Sequence, residues 1–151
     1  MNRRTLGVLL ALSSLLQAGG PGDRVLYVGG TVAGVKNHSA ADIDVRDETS
    51  LSLNLRDHAI RVAWGDITTL EYGLQVNRRY VEAILISPLF LVVKKRTHFL
   101  TIGYLDSEGR QQAVVLQVGK GDIRQLLVSL EARTGKRVEY QDEEARKAGK
   151  G

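Results

Sequence analysis

The chain contains no cysteine. That absence excludes disulfides, thiolate nucleophiles and sulfur-ligated zinc, and it excludes a lipid carried on an N-terminal cysteine. Any stable fold must therefore stand on its hydrophobic core. Aromatic residues are scarce, at 5%, so that core must rest on Val, Leu and Ile. Charge of one sign is also weak. The formal net charge is +4, and two of the positive residues, Arg3 and Arg4, lie in a segment expected to be removed. So small an excess excludes nucleic-acid binding through bulk charge, and any basic effect must be local.

Catalytic signatures are missing as well. No serine sits in a G-x-S-x-G elbow, and neither S-x-x-K nor H-E-x-x-H occurs. Gly29, Gly30 and Gly34 do not form G-x-G-x-x-G, and no G-x-x-x-x-G-K is present. Glu71 and Glu82 have no sequence context that favours acid–base work. The three histidines, His38, His58 and His98, match no zinc spacing. Asp42, Asp44, Asp47 and Glu48 suggest calcium, but Arg46 stands where the loop needs an oxygen ligand and Asp47 where it needs glycine. The chain therefore reads as no enzyme. It has no metal, no cofactor and no evident small-molecule substrate.

The clearest signal present is at the N-terminus. Residues 1–4 are a short positive region, 6–16 are apolar apart from Gly7, Ser13 and Ser14, and Ala18, Gly19 and Gly20 follow before Pro21. This is the layout of a secretory signal peptide, residues 1–20, cleaved after Gly20 or Ala18. The apolar run is shorter than the ~20 residues of a membrane-spanning helix. Export to the periplasm or the extracellular space is the expectation, with an uncleaved N-terminal anchor as the alternative.

At 151 residues, 43% of them hydrophobic, the remainder has the size and composition of one globular domain, 24–140. Residues 24–28 (RVLYV) read as a strand ending at Gly29-Gly30, with 31–35 as its continuation. Residues 36–41 form a loop that contains the glycosylation-type triplet Asn37-His38-Ser39. Strict alternation over 42–46 and 51–56, around the polar turn DETS, predicts a hairpin with one buried face. Alternation resumes at Ile60, Val62 and Trp64, kinks at Gly65-Asp66, and continues over 67–72. Residues 98–105 and 110–118 form a second hairpin around DSEG. Asp122 is the expected N-cap of a helix, with Gln125 as capping-box partner. Ile123, Leu126, Leu127 and Leu130 give that helix a single apolar stripe, and Gly135 ends it. Val138 and Tyr140 suggest a short docking segment. Residues 141–151 (QDEEARKAGKG) read as a solvated polar tail, helical at most in part.

This order implies a mainly β (α+β) protein. The expected architecture is a strongly bent antiparallel sheet, or partly open barrel, of about six to seven strands capped by one C-terminal amphipathic helix. The segments DIDVRDETSLSLNLRD, AIRVAWGDITTLEYG, HFLTIGYLDSEGRQQAVVLQV and DIRQLLVSLEARTG, across residues 24–135, resemble the pleckstrin-homology-like superfold in its GRAM-like, exported bacterial variants. The resemblance implies a binding module rather than a catalyst. The departure from the pattern is an apolar insertion at 78–93.

That insertion is the expected site. Arg78 and Arg79 open it, YVEAILISPLFLVV runs through it, and Lys94, Lys95 and Arg96 close it. It is too short to cross a bilayer, and Pro88 breaks either a helix or a central strand. One reading is a short helix over 79–86, a turn at Ser87-Pro88 and an extended run into the next strand, its apolar face covering the sheet or the same patch on a second copy, in a structural or protein-interaction module. The other is peripheral membrane binding, with residues 84–93, Leu89, Phe90 and Leu91 among them, in the interface and the five cations on anionic headgroups.

Overall fold

The computed structural model of the chain describes residues 22–76 and 97–150. The N-terminal segment 1–20 and every expected contact residue (Arg78, Arg79, Leu89, Phe90, Leu91, Lys94, Lys95 and Arg96) lie outside them. The apolar–polar alternation of the first half folds into β1 (Asp23–Gly30), β2 (Ser39–Asp44), β3 (Ser50–Leu55) and β4 (Ala59–Ala63), each antiparallel to the next. β4 shows the period plainly. Ile60 and Val62 are buried, whereas Ala59, Arg61 and Ala63 face water.

A single 3-10 turn, Trp64–Asp66, leads into β5 (Ile67–Gly73), and β6 (His98–Leu105) and β7 (Gln111–Val118) complete an antiparallel run. A two-residue strand, β8 (Glu139–Tyr140), pairs with β5 in parallel. The sheet order is β4-β3-β2-β1-β7-β6-β5-β8. β4 and β5 are joined by three residues yet lie at or near opposite edges. Since side chains from both halves meet in one core, the sheet must curl round that core. It does not close, because β4 and β5 do not pair. The protein is thus mainly β, with eight strands rather than six to seven, and the added strand makes the sheet mixed.

Residues 31–35 do not continue β1; they form a loop with Gly34 at φ 79°. Helix α1 (Ile123–Thr134) buries Ile123, Leu126, Leu127 and Leu130 as the stripe requires. Gly135 ends it in the left-handed region at φ 68°, its N–H donating to the Glu131 carbonyl. The expected cap at its start does not form. Asp122 is itself in helical conformation and makes no side-chain cap bond. Its carboxylate turns back over Gly119, where a β-carbon would come within 2.9 Å of Oδ2.

Residues 141 onward correct a second expectation. Instead of a solvated tail, residues Glu143–Lys150 form helix α2, whose Ala145 is fully buried. Asp142 caps it, its Oδ1 accepting the Ala145 N–H at 2.7 Å. Gly149 seats the helix so closely that a β-carbon there would lie 2.7 Å from the Tyr140 ring and 3.1 Å from that of Tyr72.

Tyr27 is wholly buried in the core, and its hydroxyl has no hydrogen-bond partner among the described residues. Burial, aided by the nearby Tyr104, pushes its pKa up to about 12. An unsatisfied buried hydroxyl opposes folding, so Tyr27→Phe should stabilise the protein by about 1 kcal/mol. Urea unfolding followed by Trp64 fluorescence measures this, and a loss of stability would show that the hydroxyl is satisfied in solution.

The sheet buries part of its other face too. Val28, Val76, Phe99, Ala113 and Val115 form a second apolar cluster, separate from the first. Thr101 and Glu71 are buried beside it on the same side of β6 and β5. Strand β6 is consequently buried on both faces from His98 to Tyr104.

Candidate functional site

The described residues show the root of the expected site rather than its tip. Gly73 pairs with Phe99, so the chain leaves β5 and re-enters β6 within the width of one hairpin. Val76, the last described residue on the outgoing side, belongs to the second cluster, as does Phe99 on the return. Both helices direct their buried side chains into the first core: Ile123, Leu126, Leu127 and Leu130 from α1, and Ala145 from α2. Neither helix contributes to the second cluster. An apolar sheet face therefore lies at the point where the 77–96 connection begins and ends.

His98, which matches no zinc spacing in the sequence, stands at that root. It is buried, and its Nδ1 lies 2.5 Å from the Tyr72 hydroxyl. The two rings lie near one plane, 15° from parallel with centroids 6.0 Å apart, so that they meet through this hydroxyl contact. Its Nε2 is buried without a partner among the described residues. Burial lowers the imidazole pKa, and the charge of Lys120, on the link between β7 and α1, lowers it further. The sequence signal that could have located this pair was the register: Tyr72 and His98 both point into the core near the paired ends of β5 and β6.

The other sequence candidates are not drawn together. His38 lies in the β1–β2 loop at φ 58°, and His58 sits across from Gly34. Among the described residues no three His, Asp or Glu side chains are placed to hold a metal ion. The acidic set has structural work. Asp44 accepts a salt bridge from Arg46 at 2.7 Å. Asp47 accepts from the Thr49 hydroxyl and from the Thr49 and Ser50 N–H groups, and these bonds pull its pKa down to about 2. A cleft between α1 and the β1–β2 edge includes Arg46 and Arg133, but Arg133 is engaged with the Arg46 carbonyl at 3.0 Å. No helix among the described residues is long and apolar enough to cross a membrane.

No protein-family model matches the chain, and no curated protein matches it in sequence.

Proposed function

We propose that this chain is an exported, non-catalytic interaction module of pleckstrin-homology-like build, acting at the cell envelope through a contact surface on residues 78–98. Its partner is another protein or a second copy of the chain. The observation that carries this reading is the second cluster: an apolar sheet face, supplied by neither helix, from which the apolar connection departs and to which it returns. The cluster itself is buried, so the contact surface is assigned to the apolar sequence of the insertion rooted beside it, which suits adhesion better than chemistry. The sheet order, with the halves joined through β1 and β7 and a helix filling the core, supports the pleckstrin-homology-like resemblance. Export rests on the composition of residues 1–20.

A photo-crosslinking residue at position 90, combined with light scattering over a range of concentrations, tests the proposal. The expected result is a crosslinked partner or a concentration-dependent rise in mass, either of them lost when Leu89, Phe90 and Leu91 are changed to serine. A protein that stays monomeric and crosslinks to nothing in the envelope overturns it.

Peripheral binding to anionic membranes is the second reading. Lys120 favours it, because its charge reaches His98 at the root and so adds a cation to Arg78, Arg79, Lys94, Lys95 and Arg96. Each such cation contributes about 1 kcal/mol at an anionic surface. Salt-sensitive co-sedimentation with anionic vesicles, abolished by alanine at the five insertion cations, would establish this reading, and vesicles that leave the protein in the supernatant would remove it.

A further inference from the structure

We propose that His98 and Tyr72 form an acid-operated latch holding the C-terminal clasp, β8 and α2, against the edge of β5. The clasp is lightly held. β8 contributes two residues to the sheet, extended by one bond from the Gln141 N–H to the Tyr72 carbonyl at 3.0 Å. The buried residues of α2 are Ala145 and Gly149. Part of its seat is the Tyr72 ring: Tyr140 meets Tyr72 edge-on, with centroids 5.9 Å apart, and Gly149 lies against both rings and against Leu127 of α1. Tyr72 is therefore shared. One side of it meets His98 and the other carries the clasp.

Neutral His98 suits this arrangement, since Nδ1 engages the Tyr72 hydroxyl and no charge is carried into the buried site. A protonated ring does not suit it. Protonation leaves both ring nitrogens as donors whichever neutral tautomer precedes it. The Tyr72 hydroxyl can accept from Nδ1, but among the described residues the N–H at Nε2 is buried with nothing to receive it, and the ring's charge is buried with no counter-charge beside it. The groups around the ring give no relief. Tyr72 from β5 is neutral, and its pKa is raised to about 12. Tyr140 from β8 is neutral as well, its pKa also raised. The nearby cations add repulsion: Lys120 acts on the ring directly, and Lys150 from α2 lies 5.4 Å over Tyr140. Glu71, next in β5, points to the opposite face of the sheet and has an interaction of its own. An imidazolium at 98 must reach water, and leaving means parting from the Tyr72 hydroxyl, which holds in place the ring against which the clasp rests.

The sign follows from linkage. The folded-state pKa of His98 lies below the ordinary value of 6.5, so the unfolded or unlatched form binds the proton first. The latch is at full strength above that ordinary value and weakens as pH falls towards the folded pKa. Acid should thus free the C-terminus before it unfolds the domain.

Hydrogen exchange, corrected for intrinsic rates and compared at about pH 7.5 and about pH 5, tests this. The Gln141 and Arg146 amides should lose protection by about tenfold or more at the lower pH, while the β6–β7 ladder at Val115 and Leu116 keeps its own. In His98→Gln the difference between the two pH values should vanish. In Tyr72→Phe, where the ring that seats the clasp remains but the hydroxyl contact with His98 is gone, it should shrink. Persistence of the full difference in His98→Gln overturns the proposal, and so does equal loss at the clasp and in the ladder. Should His98→Gln not fold, the unmodified protein decides: the His98 ring titration read by NMR must share its midpoint with clasp opening, and separate midpoints overturn the latch.

Discussion

Leu100→Ala should lower the unfolding free energy by about 3 to 5 kcal/mol, the largest effect expected of any single truncation in this fold. Leu100 lies in the middle of the sheet with no exposed surface, paired with Tyr72 on β5 and Leu116 on β7, both equally buried. Deleting its isobutyl group removes the transfer free energy of the lost atoms and leaves a cavity. The cavity cannot collapse readily, because ladders on both sides fix the β6 backbone. Urea unfolding followed by fluorescence of Trp64 gives the value directly. That residue is the single tryptophan, is buried at the β4–β5 turn, and donates from Nε1 to the Asp47 carbonyl at 3.0 Å. A loss of less than about 1 kcal/mol would mean that neighbouring side chains fill the space, and that the core is softer than its packing implies.

Gly30→Ala should be nearly as damaging, by about 2 to 3 kcal/mol, though it adds only one carbon. A β-carbon there would lie 2.7 Å from the Ala113 carbonyl oxygen and would overlap the Tyr27 hydroxyl. The carbonyl cannot yield, since it belongs to β7 and already accepts the Thr31 N–H at 2.9 Å. The tyrosine can be altered. In the double variant with Tyr27→Phe the overlap with the hydroxyl disappears while the carbonyl contact remains. Part of the loss should therefore return, giving a favourable coupling in a double-mutant cycle. Simple additivity of the two substitutions would place the strain on the Ala113 side alone.

Much of this fold was legible because its determinants are periodic. The alternation in 51–56 and 60–64, the stripe from Ile123 to Leu130 and the glycine at 135 each specify local structure without help from distant residues, and each appears where its pattern placed it. What the sequence did not reveal depends on long-range company. Residues 143–150 carry no apolar stripe, so nothing local marks them as a docked helix; Ala145 is buried in the core, and Gly149 matters because it is small enough to meet two tyrosines. Asp122 looked like a cap by type, yet its carboxylate found Gly119 instead. His98 looked unremarkable until strand pairing brought Tyr72 beside it. The apolar run at 78–93 was conspicuous from the start, and the second cluster holds Val76 and Phe99, described residues on either side of it.

The position of β1 has a consequence for how the chain assembles. The first strand lies in the interior of the sheet, with β2 on one side and β7 on the other, and Val25 pairs with Val118. The N-terminal half can zip up from β1 to β4 as it emerges, but β1 keeps one edge bare until nearly a hundred further residues have been made. Closing so long a loop is an entropic cost met before any contact rewards it, which makes folding slow for a protein of this size. During that interval the open edge of β1 is the surface most exposed to pairing with the wrong chain.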